Sequence, residues 1–235
     1  MKRTYPKIEA SHFRWLLGIF LAYFSLILTY IVAWIFKIDS LILGAVILSA
    51  FTLLSALVID KNILKKLFIF PNFRDIKMLV IGVFCSFLFV FLASFATQIL
   101  KIKGDVNPIF DILPNLKIFD LILSSAIQFI GEEILFVLPF LYVINKMGKI
   151  PMGLRVLLAV IISSLLFGVL HLPTYNFNIG QSLIIIGLVR TGITISYLLT
   201  KNLSISYLTH GIYDWTLIYV AVKFHLLEFI MAIFL

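Results

Sequence analysis

Seven separate runs of roughly 20 apolar residues leave this chain few ways to fold. They lie at 15 to 36, 40 to 59, 78 to 100, 118 to 144, 155 to 172, 181 to 200 and 203 to 222. About 20 such residues is the length at which a helix crosses some 30 Å of hydrocarbon. The expected fold class is therefore all-α: a polytopic membrane protein with seven or eight transmembrane helices. The eighth depends on the short apolar tail from 225 to 235, which is either a mismatched span or an interfacial segment. The chain is 62% hydrophobic and 13% charged, with a mean hydropathy of +1.14, values that ordinary soluble domains do not approach.

The net charge of +8 does not point to nucleic acid, because the basic residues sit in short segments between apolar runs and no aromatic-interleaved basic patch accompanies them. They read instead as topology determinants. With the amino terminus inside, the cytoplasmic segments hold Lys2, Arg3, Lys7, Arg14, Lys61, Lys65, Lys66, Arg74, Lys77, Lys146, Lys149, Arg155 and Lys201. The outer segments hold Lys37, Lys101, Lys103, Lys117 and Lys223. Thirteen against five places the amino terminus in the cytoplasm. The first apolar run is too long for a signal peptide and lacks a small-x-small cleavage pattern, so it reads as a retained span. Cys85 is the single cysteine, which excludes an intrachain disulfide and a thiolate zinc cluster.

The chain divides by chemistry within one integral membrane domain, 1–235. Residues 1–100 supply three scaffold helices with no ionisable residue inside the runs, and a loop from Lys101 to Lys117, with Gly104, Pro108 and Pro114, separates them from the rest. Glu132, Glu133, His171, Arg190, His210 and Asp214 all follow that loop, inside apolar runs of the segment 118–222. A charge at bilayer depth costs roughly 2.5 to 3.5 kcal/mol even on the gentler insertion scales, so such residues mark functional sites. On a helix Glu132 and Glu133 point about 100° apart, so that one can face a cavity while the other supports it. Phe167 and His171 lie one turn apart, as do His210 and Asp214, where one group can orient the other.

In this order, Glu132-Glu133 with Val137, Phe167 with His171, and His210 with Asp214 resemble three motifs of the CPBP family. The motifs are Glu-Glu-x-x-x-Arg, Phe-x-x-x-His and His-x-x-x-Asn/Asp. The family comprises intramembrane glutamic proteases and includes the type II CAAX prenyl endopeptidases and the bacteriocin-processing or immunity-associated proteins also called Abi. Arg190-Thr191-Gly192 echoes a further short family pattern, and the likeness runs over roughly 118 to 222. Val137 departs from it, standing where the family has arginine. Glu133 then needs a proton or another cation; Arg190, the basic residue inside a span, either supplies that cation or reaches the cytoplasmic interface and serves only as an anchor.

The resemblance implies a peptidase whose catalytic residues are Glu132, Glu133, His171, His210 and Asp214. Glu132 would be the general base for water, His171 would help hold that water, and His210 with Asp214 would stabilise the oxyanion. No cofactor is expected. Zinc held by the same side chains is the alternative, disfavoured by the lack of a His-Glu-x-x-His helix. The implied partners are the lipid bilayer and a peptide or membrane-anchored protein substrate, with no nucleic acid. The implied setting is a bacterial cytoplasmic membrane, in bacteriocin maturation or self-immunity. A non-catalytic membrane binding or immunity protein retaining the protease fold is the competing reading, favoured by Val137.

Overall fold

A computed structural model describes residues 3–113 and 116–223. The described helices are α1 (His12–Phe36), α2 (Leu41–Ile59), α3 (Ile63–Leu67), α4 (Phe73–Leu100), α5 (Ile109–Ile112), α6 (Ile118–Lys146), α7 (Met152–Leu170), α8 (Gly187–Thr200) and α9 (Leu203–Lys223). A π-helical segment, Gly180–Ile186, leads directly into α8. No strand occurs among the described residues, as expected of an all-α chain.

Local chemistry sets where the helices begin and end. The Ser11 hydroxyl accepts from the Arg14 N–H at the start of α1, and Asn72 forms a capping box with Asp75 at the start of α4. Lys37, Lys101 and Lys201 end α1, α4 and α8 in the left-handed conformation, with φ of 49°, 52° and 53°. The expected loop between Lys101 and Lys117 contains one short turn of helix, α5.

Six of the described helices are long and apolar enough to cross a membrane: α1, α2, α4, α6, α7 and Gly180–Thr200. The seventh expected span, 203 to 222, is helical but does not reach that apolarity. The reason is its buried face, where Ser206, Thr209 and His210 are turned into the bundle. Its 21 residues still give it a length of about 31 Å. The tail from 225 to 235, on which an eighth span would rest, lies outside the described residues.

Helix α6 is the axis of the assembly and packs against α1, α2, α7 and α9, while α8 packs against α4, α7 and α9. The three amino-terminal helices are thus wrapped directly onto those that carry the polar residues. Small residues allow the close approach. A Cβ added to Gly82 of α4 would meet Ser196 Cβ at 2.6 Å, and one added to Gly168 of α7 would meet the Ser182 carbonyl oxygen at 2.3 Å. Such small-residue contacts are the usual way in which helices gain packing where lipid is as apolar as leucine.

Pro139 lies inside α6 and has no N–H to give to the carbonyl of Leu135, four residues before it. The Tyr23 hydroxyl of α1 donates to that carbonyl at 3.2 Å. A neighbouring helix therefore satisfies what the proline leaves open.

The two ends of the bundle differ. At one, the segment before α1 is strapped across the helix ends: Arg3 pairs with Asp75 at 2.7 and 2.8 Å, and the Ile8 N–H donates to Asn145 at 3.0 Å. Tyr5 packs on Phe140 and Tyr197 there, and burial pushes its phenol up to about 12. At the other end lie the α1–α2 turn, the 101 to 117 loop and the residues after α7.

Replacing Tyr23 with Phe orphans a buried carbonyl and is expected to cost about 1 to 2 kcal/mol. In a Pro139→Ala background the same change costs less, because the Leu135 carbonyl regains an intrahelical donor. Thermal unfolding of the four proteins in detergent, or denaturation monitored by helicity, checks this non-additivity.

Candidate active site

The adjacent glutamates of α6 diverge as their helical positions require. The Glu133 side chain is 0% exposed, whereas that of Glu132 retains 13% and lines a cavity of about 680 Å³. Gly131, just before them, sits close to Ser49 and Thr52 of α2, which brings α6 against that helix. The cavity also receives Gln128 and Phe129 from α6, Phe167 and His171 from α7, Arg190 from α8, and His210 and Asp214 from α9.

Arg190 is Glu133's partner. Its two terminal nitrogens donate to the two carboxylate oxygens at 2.6 and 2.9 Å, and both side chains are fully buried. Charge-assisted, two-pronged bonds of this kind are the strongest that a guanidinium makes. The guanidinium carbon lies 4.2 Å from the centre of the Phe136 ring and 5.0 Å from that of Phe167, so aromatic faces flank the buried cation. Val137 is fully buried in the apolar core. The cation missing from its position is thus provided from another helix, 57 residues along the chain.

His210 links this buried pair to the cavity. Its Nδ1 is 3.0 Å from Glu133 Oε1 and 3.5 Å from Arg190 Nη1. Its Nε2 is 3.3 Å from Asp214 Oδ2 and 3.7 Å from Glu132 Oε2. Phe129 stacks on the imidazole with ring centres 4.4 Å apart, fixing its plane. Glu132, Glu133, Arg190, His210 and Asp214 therefore form one contiguous polar cluster in an apolar bundle.

His171 stands apart from that cluster. Helix α7 ends at Leu170, two residues before the expected Leu172, and His171 is its C-cap. Its Nδ1 bonds to the Phe167 carbonyl at 2.9 Å and its ring tilts over Phe167 at 4.7 Å. It shares the cavity with Glu132 without a direct bond to Glu132, His210 or Asp214. Among the described residues no three histidine, cysteine, aspartate or glutamate side chains are grouped to hold a metal ion.

Several cavity residues carry no sequence signal of the kind that marked the ionisable ones. Gln128 donates to Glu132 at 2.6 Å, and only its position one turn earlier on α6 could have suggested this. At the mouth, Asp105 exchanges backbone bonds with the Gln181 side chain at 2.6 and 2.8 Å, and Asn107 donates to the Tyr175 hydroxyl at 3.3 Å. Burial pushes the Tyr175 phenol up to about 12, so it remains protonated near neutrality. The π-helical segment that carries Gln181 belongs to a class of irregularity often found at functional sites.

The family model described as type II CAAX prenyl endopeptidase Rce1-like matches residues 114–216. The match agrees with the resemblance to CPBP/CAAX proteases read from the sequence over much the same residues. It covers α6 through most of α9, and so every ionisable residue of the cluster. No curated protein and no solved structure gives a significant match to the chain. Over those residues, which are fewer than half of the chain, the protein is similar to a family of membrane proteases, and its long apolar helices fit a multi-pass membrane protein.

Removing the cation should be costly. Arg190→Ala leaves a carboxylate uncompensated in a dry interior and is expected to destabilise by about 3 to 5 kcal/mol. Arg190→Ala combined with Glu133→Gln should lose less than the sum of the single effects by more than about 1 kcal/mol, the mark of direct coupling. Unfolding midpoints of the wild type, both single variants and the double variant measure it.

Proposed function

We propose that this protein is an intramembrane endopeptidase that hydrolyses a peptide or membrane-associated protein with a water activated by Glu132. The observation that carries this reading is the convergence of Glu132, His210 and Asp214 on one cavity, above a buried Glu133–Arg190 pair. Family motif positions and physical neighbours coincide there.

In the proposed reaction, a water oxygen attacks the scissile carbonyl carbon while Glu132 takes the water's proton. The carbonyl electrons move onto oxygen, and His210 donates a hydrogen bond to the developing oxyanion from Nε2. An ionised Asp214 would repel that oxyanion; it faces the same Nε2 at 3.3 Å before substrate binds, so the oxyanion takes over that N–H from Asp214 while Glu133 keeps the ring in place through Nδ1. On collapse the C–N bond breaks, and the leaving nitrogen takes up the proton held by Glu132, releasing a carboxylic acid and an amine. Gln128, bonded to Glu132, holds the base in place. His171, on the cavity wall, takes part in holding the water or the substrate carbonyl.

The Glu133–Arg190 pair has a positioning role. It anchors His210 through Nδ1 and ties α6, α8 and α9 together around the reacting groups. Val137 favours the competing reading, a binding or immunity protein that keeps the fold without the chemistry. Arg190 answers it, since the cation that Val137 lacks is present on another helix. The reading is metal-free, with the bacterial setting and a role in peptide maturation or self-protection as its extension.

Glu132→Gln and His210→Ala should each lower cleavage of membrane-anchored test peptides by at least 100-fold, a typical loss for a general base or an oxyanion donor. Glu132→Gln should leave the unfolding midpoint near that of the wild type, because it keeps Arg190's carboxylate, whereas His210→Ala also removes the bond between α9 and Glu133 and should lower it. Wild-type turnover by Glu132→Gln would remove the assignment of the base. Activity is also expected to survive prolonged chelation; loss that zinc reverses would instead establish the metal reading.

A further inference from the structure

We propose that the cavity opens on the extracytoplasmic side of the membrane, so that its substrate is an outward-facing polypeptide segment rather than a cytosolic one. This deepens the peptidase reading and rests on it for the word substrate. The access route itself follows from packing and charge.

The first observation is where the cavity leads. Glu132, Arg190 and His210 form its floor, and its walls continue through Asp105, Pro108 and Tyr175, which lie at the end of the bundle holding the α1–α2 turn. Tyr30 and Leu41, on either side of that turn, line it as well. None of the cavity's lining comes from the segment before α1, from 60 to 72, or from 147 to 151.

The second observation is that the opposite route is filled. Beneath the Arg190 guanidinium lies Phe136, which packs on Phe140 at 6.0 Å; Phe140 meets Tyr197 edge-on at 5.5 Å, and both rings touch Tyr5 of the strap. Phe136, Phe140 and Tyr197 are all fully buried. This aromatic column, with Ile134, Leu138 and Leu141 around it, occupies the depth between the polar cluster and the strapped end. A close-packed interior of that kind has no space for a peptide.

The third observation orients the molecule. The strapped end gathers the amino-terminal segment, the 60 to 72 connection, the α6–α7 turn and the α8–α9 turn. Among the described residues, those segments hold Arg3, Lys7, Lys61, Lys65, Lys66, Lys149 and Lys201, and the adjoining helix ends add Arg14, Arg74, Lys77, Lys146 and Arg155, whereas the cavity end has five. Positive charge near span ends is retained on the cytoplasmic side. The strapped end therefore faces the cytoplasm, and the mouth between Asp105 and Tyr175 faces outward.

Cysteine accessibility tests this without requiring turnover. Cys85, the only native thiol, is replaced by Ala, and Lys103→Cys, Gln128→Cys and Gly148→Cys are introduced singly. Lys103 and Gly148 are exposed at opposite ends, and a Cβ at Gly148 meets nothing within 4 Å. Gln128 lies within the cavity, one turn from Glu132. In intact bacterial cells, a small membrane-impermeant thiol reagent should label Lys103→Cys and Gln128→Cys, and should label Gly148→Cys at least tenfold less until the cells are opened. Labelling of Gly148→Cys in intact cells with protection of Lys103→Cys would invert the molecule and overturn the proposal. So would a Gln128→Cys thiol reached only after the cells are opened. Absence of peptidase activity alongside the expected labelling pattern would end the hydrolase reading and leave the outward cavity in place.

Discussion

A guanidinium and a carboxylate, both fully buried and joined by two hydrogen bonds, hold the centre of this bundle. Neither Glu133 nor Arg190 is tolerable there alone, since an isolated charge in a dry interior costs several kcal/mol. Together, with Phe136 and Phe167 against the cation, they become a joint between α6 and α8. His210 adds α9 through its bond to the same carboxylate oxygen that Arg190 engages. The helices that surround the cavity are thereby registered against one another by charge pairing rather than by apolar contact, which in lipid discriminates poorly between alignments.

That joint also accounts for the division of labour between adjacent acids. One residue of helical rotation takes Glu133 into the interior and leaves Glu132 at the cavity, close to His210 and bonded to Gln128. Loss of the motif arginine at position 137 need not dissolve the arrangement, because the partner cation comes from across the bundle. Val137 has instead joined the apolar core that fills the strapped end.

The cavity and the packed column below it form one design. The polar cluster lies on the cavity that leads to the loop end, and stacked aromatics from Phe136 to Tyr5 separate it from the strapped end. The mouth is held by side chain-to-backbone bonds such as those between Gln181 and Asp105, at the start of a π-helical segment. Rigid walls suit the proposed reaction, in which a water held by Glu132 has to be placed accurately against a carbonyl carbon.

The helical character of the chain, the placement of most spans and the ionisable residues that matter were all legible in the sequence. Each depends on local pattern: runs of about 20 apolar residues, and charges that hydrocarbon would not otherwise contain. The divergence of Glu132 from Glu133 was legible for the same reason, since helical geometry fixes the angle between neighbours. On α9 the buried polar face of Ser206, Thr209 and His210 weakens the apolar pattern, although the segment is helical as expected. Tertiary structure alone decided that Arg190 meets Glu133 across 57 residues, that α7 stops at Leu170 and leaves His171 on the wall, and that one end of the cavity is filled. Those outcomes depend on how helices approach and rotate against one another, and no spacing along a single helix encodes that.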